Sequence, residues 1–358
     1  MRTLWTVFLL FWGQLALAQV HSTPFRNLDR NGDGVLTVEE LPVGVRPNFG
    51  RIDRDGDGKI SPQEDTAFRN RRGARTPSAG PTLPEGVRVL NDVAYLENGH
   101  ERQVLDLYLP KSTGQVRPVV IWVHGGGWQT GDKSGGPWRP LLEQGFAVAS
   151  INYRLSQHSI FPAQINDCKA AVRWLRDHAA EYELDPQCFG VWGSSAGGHL
   201  VALLGTSGDV ADLEGAESKT SSRVQAVCDW FGPTDFLKMN EHGGPNGRID
   251  HDAPNSPEAR LIGGAVQSHQ EAARRASPLT YVTADDPPFL IVHGDQDPVV
   301  GMQQSLLLHK ALTAAKVPST LTIVPGAGHG QFRDPKIAES CIEFFERVLK
   351  NPPPKPAN

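Results

Sequence analysis

From residue 87 onward, short apolar runs alternate with longer segments of helical periodicity. The run Val119-Val120-Ile121-Trp122-Val123 is continuously apolar, as is typical of a central parallel strand that is buried on both faces. Repeated alternation of this kind predicts an α/β domain with a mostly parallel central sheet and helices on both faces. We expect strands near 104–109, 119–123, 146–151, 188–193, 224–230, 289–293 and 320–324, and helices over 163–180, 197–206, 302–315 and 336–349. Right-handed crossovers would then place the functional loops at the carboxyl ends of the strands.

A glycine-flanked serine lies between one of these strands and the next helix, in Gly193-Ser194-Ser195-Ala196-Gly197. The pattern G-x-S-x-G in a strand–turn–helix context is typical of a sharp turn that exposes a nucleophilic serine above the sheet. Ser195 is therefore the candidate nucleophile. A tight packing turn would need the same glycines, so this interpretation depends on the motifs that follow.

A second glycine-rich segment, His124-Gly125-Gly126-Gly127-Trp128, directly follows the apolar run 119–123. Consecutive glycines expose backbone N–H groups, and such groups can hold the oxyanion of a tetrahedral intermediate. We expect Gly126 and Gly127 to supply two donors and Ala196 to supply a third. His124 is expected to order this loop by hydrogen bonding rather than to act as a base.

Candidate acid and base residues follow two later strands. His329 would take the proton of Ser195, and Asp297 would hold His329 in the required tautomer. Asp295 is the rival acid, but Asp297 lies further into its loop, at the bend before Pro298. The chain order serine, aspartate, histidine is that of α/β-hydrolases.

Taken together, these motifs resemble bacterial α/β-hydrolases of the hormone-sensitive-lipase-like esterase type. The resemblance covers residues 87–349 and extends to the segments 162–168, 231–235 and 277–289. It implies a Ser195–Asp297–His329 mechanism through an acyl-enzyme, with no cofactor for catalysis. The His-Gly-Gly-Gly-Trp segment is similar to that of acetyl-xylan, feruloyl and general carboxylesterases. A secreted carboxylesterase for short acyl esters, carried by a small molecule or by acetylated or feruloylated polysaccharide, is therefore the expected function.

Two alternatives stay open. The same triad occurs in serine peptidases of the prolyl-oligopeptidase-like type, which this chain resembles only at the triad. The chain could also be a catalytically inactive, calcium-dependent binding protein, although an intact triad argues against that.

Residues 232–285 exceed what the sheet requires, and they are predicted to form a cap or rim over Ser195 that sets specificity. Its histidines, His242 and His251, are expected in a solvated loop, because their spacing does not suit a metal site. Candidate pocket residues are aromatic, and each is equally typical of a hydrophobic core. They are Trp128, Trp230 and Phe231, with Trp138 as a further candidate.

Ahead of this domain, residues 29–40 and 53–64 both match the twelve-position EF-hand calcium loop. Oxygen ligands are expected from loop positions 1, 3, 5, 7 and 12. These are Asp29, Asn31, Asp33, Val35 and Glu40 in the first loop, and Asp53, Asp55, Asp57, Lys59 and Glu64 in the second. The pair resembles EF-hands and, in its compactness, dockerin-type repeats. We expect a small all-α module with two structural Ca²⁺ sites, in which Leu36 pairs with Ile60.

The first residues are typical of a secretory signal peptide rather than of a membrane anchor. Arg2 precedes a short apolar run, and Ala16-Leu17-Ala18 forms a cleavage-like site. Cleavage after Ala18 predicts a secreted, periplasmic or cell-surface protein. The expected organisation is a signal peptide at 1–18, an EF-hand pair at 19–66, a linker at 67–86, a hydrolase domain at 87–350 and a disordered tail at 351–358.

The charge balance limits the partners further. Thirty-five basic against 40 acidic residues give a net charge of −5, which argues against nucleic-acid binding. No membrane association is expected after signal cleavage, and the protein partner of the EF-hand pair stays open. Cys168, Cys188, Cys228 and Cys341 all lie in apolar segments. Buried free thiols are therefore favoured over disulfides, whose pairing the sequence leaves open.

Overall fold

The computed structural model describes Phe25 and residues 28–41, 49–65 and 83–351, apart from 209, 217, 245, 246, 248 and 331. The chain divides into two compact units, Met1–Thr82 and Leu83–Asn358. The predicted signal peptide, residues 67–82 of the predicted linker and residues 352–358 lie outside the described residues.

The large unit is built on one eight-stranded sheet. Its strands are β1 (Arg88–Ala94), β2 (Val104–Leu109), β3 (Arg117–Val123), β4 (Ala147–Ile151), β5 (Leu184–Ser194), β6 (Ala226–Trp230), β7 (Phe289–Gly294) and β8 (Ser319–Val324). The strand order is β1-β2-β4-β3-β5-β6-β7-β8. Strand β2 pairs antiparallel with both β1 and β4, and the remaining pairs are parallel. The predicted, mostly parallel sheet is therefore confirmed.

Helices cover both faces of this sheet. Alternate residues of a strand point to opposite faces, and they pack into two separate apolar clusters. In β3, Val119 and Ile121 join one cluster, whereas Val120 and Trp122 join the other. The helices of the large unit are α2 (Arg139–Glu143), α3 (Ala163–Asp177), α4 (Ala196–Thr206), α5 (Pro257–Ile262), α6 (Gln270–Ala276), α7 (Gln303–Ala314) and α8 (Pro335–Phe345). Helix α1 (Phe49–Ile52) belongs to the small unit.

Two details differ from the sequence expectation. Leu83, inside the predicted linker, packs against the apolar cluster of the hydrolase unit, so the ordered domain begins earlier than residue 87. The predicted cap is also less separate than expected, because Phe236, Leu261 and Ala273 are buried in the main core. Its polar residues therefore form a rim on a packed segment.

The small unit has its own apolar cluster, which includes Phe25, Leu41 and Ile52. Leu36 and Ile60 form an antiparallel bridge through two backbone hydrogen bonds of 2.9 and 2.8 Å. The bridge confirms the expected pairing of the two loops, and α1 is a helical turn that directly precedes the second loop.

No helix in the described part of the chain is both long and apolar enough to cross a lipid bilayer. All four thiols are free, and those of Cys168, Cys228 and Cys341 are buried.

Candidate active site

Ser195 lies at the turn between β5 and α4 with φ 56° and ψ −123°, a conformation that is costly for a residue with a Cβ atom. The flanking glycines make the turn possible. A Cβ atom on Gly197 would lie 2.1 Å from the Val123 carbonyl oxygen, and one on Gly193 would lie 2.3 Å from the Gly197 carbonyl oxygen. Only glycine fits at these two positions without a backbone shift, so the turn exposes Ser195 as the motif predicted.

The three predicted triad residues come together through two hydrogen bonds. Nε2 of His329 lies 2.9 Å from Oγ of Ser195, and Nδ1 of His329 lies 2.7 Å from Oδ2 of Asp297. If Nδ1 donates to the carboxylate, Nε2 is free to accept the serine proton. These side chains therefore have the geometry of a nucleophile, a general base and an orienting acid.

Asp297 is almost fully buried, and polar neighbours surround it. Its Oδ1 accepts the backbone N–H groups of Val299 and Val300 at 2.8 and 2.9 Å. Burial alone would raise the pKa of Asp297, but hydrogen bonds from His293 and His329 hold this pKa well below its ordinary value. The carboxylate thus stays charged beside His329.

The rival acid, Asp295, has a different partner. Its Oδ1 accepts the backbone N–H of Gly326 at 2.7 Å, which ties the acid loop to the histidine loop. The structure therefore brings Asp297, and not Asp295, into contact with the imidazole.

The three predicted oxyanion donors lie beside the serine. No hydrogen bond within the described residues uses the backbone N–H of Gly126, Gly127 or Ala196. A Cβ atom on Gly125 would lie 3.2 Å from Cβ of Ser195, so the glycine loop directly contacts the elbow. Unpaired donors next to a nucleophile can stabilise a developing oxyanion without first giving up another partner.

His124 orders this loop and takes no part in the triad. One ring nitrogen, Nδ1, donates to the Gly125 carbonyl oxygen at 2.7 Å, and Nε2 accepts from Arg102 at 3.2 Å. The ring also stacks on Tyr153, whose hydroxyl donates to the His124 carbonyl oxygen at 2.9 Å. Burial lowers the pKa of His124 to about 4, so the ring is neutral near pH 7.

A cavity of about 600 Å³ opens over Ser195 and His329, and Trp128, Trp230 and Phe231 line it. The ring of Phe231 packs edge-on against His329, with 4.7 Å between the ring centroids. These aromatic residues also belong to the core, since each is at most 4% exposed. Trp138 does not line the cavity, and it packs against Tyr108 instead.

The indole of Trp128 is positioned by a second buried histidine, His199. Its Nε1 donates to Nδ1 of His199 at 3.2 Å, and Nε2 of His199 donates to the Ala276 carbonyl oxygen at 2.6 Å. Burial lowers the pKa of His199 to about 4. The chain thus fixes one neutral tautomer of His199 beneath the cavity wall.

The expectation of a solvated loop is wrong for His251. This side chain is buried, and its Nδ1 lies 3.0 Å from Oε1 of the equally buried Glu258. Both residues line the cavity. His242 contacts Gln304, with 3.2 Å between Nδ1 and Nε2. No sequence pattern indicates the buried pair, because Glu258 belongs to no motif and the surrounding residues are polar.

The two acidic loops of the small unit have matching internal geometry. Oδ1 and Oδ2 of Asp29 accept the N–H groups of Gly32 and Gly34, and Asp53 accepts those of Gly56 and Gly58 in the same way. Carboxylate oxygens of Asp53, Asp55 and Asp57 lie within 4.8 Å of one another. Such a crowded set of oxygens suits a hard cation such as Ca²⁺. All ten predicted ligand residues lie in these two loops.

Comparisons with known proteins agree with this geometry. Residues 105–312 match the BD-FAE family, and residues 24–41 and 49–64 match the EF hand family. A relative from Mycobacterium tuberculosis, named probable carboxylic ester hydrolase LipM, is 30% identical over 76% of this chain and 70% of its own length. The chain spans 61% and 57% of two other esterases of that organism, LipQ and LipC.

Two solved structures are similar to this chain over about three quarters of its length. A truncated carbohydrate esterase from gut microbiota is 36% identical, with a TM-score of 0.69 over 75% of this chain and 99% of that one. The propionate-bound esterase Est2 of Thermogutta terrifontis is 26% identical, with a TM-score of 0.57 over 78% of this chain and 99% of that one. The fold, the site and these relatives agree, and the chain is an esterase that belongs to the BD-FAE family of α/β-hydrolases, with two EF-hand motifs ahead of its hydrolase domain.

Proposed function

We propose that this protein is a secreted serine carboxylesterase that removes short acyl groups through an acyl-enzyme, with acetylated or feruloylated polysaccharide as its natural substrate class. The observation that carries the mechanism is the hydrogen-bonded series from Ser195 through His329 to Asp297, at 2.9 and 2.7 Å, beneath an open cavity.

In the first step, Oγ of Ser195 attacks the ester carbonyl carbon while Nε2 of His329 takes the hydroxyl proton. The carbonyl oxygen becomes an oxyanion, which accepts hydrogen bonds from the N–H groups of Gly126, Gly127 and Ala196. His329 then returns the proton to the alcohol oxygen, the ester C–O bond breaks, and the acyl group stays on Ser195.

In the second step, a water molecule takes the place of the alcohol. His329 removes one of its protons as the oxygen attacks the acyl carbon, and then gives that proton to Oγ of Ser195. The products are a free carboxylic acid and the regenerated serine. Asp297 keeps its charge throughout and stabilises the imidazolium that forms in each half-reaction.

Two relatives support the proposed substrate. One of the solved structures is a carbohydrate esterase, and another holds propionate, which is a short acyl product. A cavity of about 600 Å³ that is partly walled by indole and phenyl rings accommodates a small acyl group together with a sugar ring.

The EF-hand pair is proposed to bind two Ca²⁺ ions with a structural role. Each loop would use its own five predicted ligands, and the ion would neutralise the repulsion among their carboxylates. Secretion rests on the signal-peptide pattern of residues 1–18, and extracellular calcium concentrations would keep such sites loaded.

The test is hydrolysis of p-nitrophenyl acetate, butyrate and decanoate by the mature protein beside its Ser195→Ala variant. Alanine keeps a Cβ atom in the strained turn, so the variant removes the nucleophile and leaves the turn unchanged. We expect activity to fall with acyl length and to drop by about a thousandfold or more in the variant. Equal rates for both proteins would contradict the mechanism.

A matched pair of p-nitroanilide and p-nitrophenyl substrates separates esterase from peptidase activity. Faster cleavage of the anilide than of the ester would contradict the proposal.

A further inference from the structure

The buried pair His251 and Glu258 in the cavity wall takes no part in the triad. Their side chains are 4% and 3% exposed, and Oε1 of Glu258 lies 3.0 Å from Nδ1 of His251. The second carboxylate oxygen, Oε2, is buried and has no hydrogen-bond partner among the described residues. A buried acceptor without a partner is costly, so such an atom calls for an explanation.

The contacts of His251 determine where the protons of this pair lie. Nε2 of His251 is 3.0 Å from the Val299 carbonyl oxygen, which can only accept, so Nε2 must carry a proton. Nδ1 lies 3.0 Å from Oε1 of Glu258, within ion-pair distance, although neither Nδ1 nor Oε2 makes a hydrogen bond among the described residues. Burial alone would lower the pKa of His251, but Glu258 and the Val299 carbonyl raise it overall. Glu258 therefore favours the protonated form of the ring, and an imidazolium paired with a carboxylate carries no net charge.

The pair lies between the two loops that carry the reactive groups. Pro257, next to Glu258, packs against the glycine loop, with its Cβ 3.5 Å from where a Cβ atom on Gly127 would be. On the other side, the backbone of Val299 accepts from His251 through its carbonyl oxygen and donates to Asp297 through its N–H. Substrate bound at Ser195 therefore occupies the same cavity as Glu258.

We infer that Oε2 of Glu258 is a substrate-binding atom that accepts a hydrogen bond from a hydroxyl group of the bound ester. His251 already neutralises the carboxylate, so a second cation has no charge to balance, whereas a neutral hydroxyl donor would complete the set of partners. This inference rests on the proposed function, and it names a specificity residue for the same cavity.

A hydroxyl group could come from either of two parts of the proposed substrates. One source is a free hydroxyl of an acetylated sugar, on the alcohol side of the ester. The other source is the phenol of a feruloyl group, on the acyl side. Both supply the same O–H donor, so the experiment needs one arm for each source.

The experiment compares kcat/KM within two substrate pairs. The sugar arm uses a p-nitrophenyl xyloside with one acetyl group and free ring hydroxyls, and its analogue in which the remaining hydroxyls are methylated. The phenol arm uses methyl ferulate and methyl 3,4-dimethoxycinnamate. We expect the wild-type protein to prefer the free hydroxyl by about tenfold or more in one arm, because a charged acceptor strengthens the bond.

The variant Glu258→Gln replaces the charged acceptor with a neutral amide of the same shape. We expect the preference to fall below about threefold, while p-nitrophenyl acetate, which has no hydroxyl, loses less activity than the sugar or the ferulate. Glu271→Gln makes the same chemical change at an exposed position of α6 outside the cavity, and it should keep the wild-type preference.

Each outcome decides the inference. A wild-type protein that hydrolyses p-nitrophenyl acetate but shows no preference in either arm overturns the role of Glu258 and leaves the esterase proposal intact. A preference that survives Glu258→Gln assigns the hydroxyl to another residue. Absence of hydrolysis with every ester overturns both proposals. If Glu258→Gln fails to fold, Glu258→Asp takes its place, because it keeps a carboxylate near His251 but shortens the side chain by one methylene, and it should lower the preference in the same way.

Discussion

Asp297 accepts a hydrogen bond from Nδ1 of His329 over 2.7 Å, while its other oxygen holds two backbone N–H groups. In the Asp297→Asn variant, the new amide would offer an N–H donor to His329, which favours the wrong imidazole tautomer. We therefore expect kcat on p-nitrophenyl acetate to fall by about a thousandfold or more with little change in KM.

Asp295→Asn is the matched control for that variant. An amide oxygen can still accept the Gly326 N–H, so kcat should stay within about fivefold of the wild-type value. The reverse ranking of the two variants would assign the orienting role to Asp295.

The glycine loop provides a test of the oxyanion donors. Gly126 has φ 110°, and a Cβ atom there would lie 2.3 Å from the Thr130 carbonyl oxygen. Gly126→Ala should therefore displace the loop and lower kcat/KM by about a hundredfold, which is the usual cost of one misplaced oxyanion donor. At Gly135, a Cβ atom meets nothing within 4 Å, so Gly135→Ala should stay within about twofold. Equal effects of the two changes would argue against oxyanion stabilisation by this loop.

Two buried histidines predict acid sensitivity of the fold. Burial lowers the pKa of His124 and of His199 from 6.5 to about 4, because a charged ring would lose its hydration in the protein interior, and Arg102 adds repulsion at His124. Below pH 6.5, the unfolded chain therefore binds more protons at these two histidines than the folded chain does. The stabilisation is complete above pH 6.5 and is lost as the pH falls from 6.5 to 4, by about 2 kcal/mol for each ring at pH 5.

Urea unfolding of the hydrolase at a series of pH values measures this loss. In His199→Gln, the amide can replace both hydrogen bonds without titrating, so the free energy of unfolding should fall less steeply below pH 6.5. An unchanged slope would indicate that His199 has the same pKa in the folded and in the unfolded chain.

Calcium removal should affect stability and spare catalysis. Without an ion, the carboxylates of Asp53, Asp55 and Asp57 repel one another, so chelation should lower the thermal stability of residues 24–66. Calorimetry with and without a chelator measures that loss, and p-nitrophenyl acetate turnover should stay nearly unchanged. Glu40→Gln with Glu64→Gln removes the closing ligands and should reproduce the effect of the chelator. A large loss of turnover in the chelator would show that calcium also supports the catalytic domain.

The features that could be predicted from the sequence are those that depend on residues close together in the chain. Ser195 needs close glycines, and the loop after β3 needs exposed N–H groups, so both motifs are visible as short patterns. The central strands were predicted because burial on both faces requires continuous apolar runs. The edge strand β1 was not predicted, because its residues are exposed or half-exposed and mixed in polarity.

Other features depend on contacts between residues that are distant in the chain. His251 and Glu258 lie in a polar stretch, and only the folded chain buries them against Val299 and the cavity. From the sequence, Asp297 was preferred to Asp295 because of its position in the loop. The structure decides between them, because only Asp297 contacts His329, whereas Asp295 accepts the Gly326 N–H. Short helices such as α5 and α6 also lacked the length at which helical periodicity becomes clear.

The backbone of Ser195 has a consequence beyond the reaction. At φ 56° and ψ −123°, a residue with a Cβ atom costs about 1–3 kcal/mol relative to glycine. Selection for thermal robustness alone would favour glycine at this position, yet glycine would abolish the chemistry. The requirements of activity and of stability therefore oppose each other at Ser195. Substitutions that raise the thermal stability of the enzyme have to be made elsewhere in the chain.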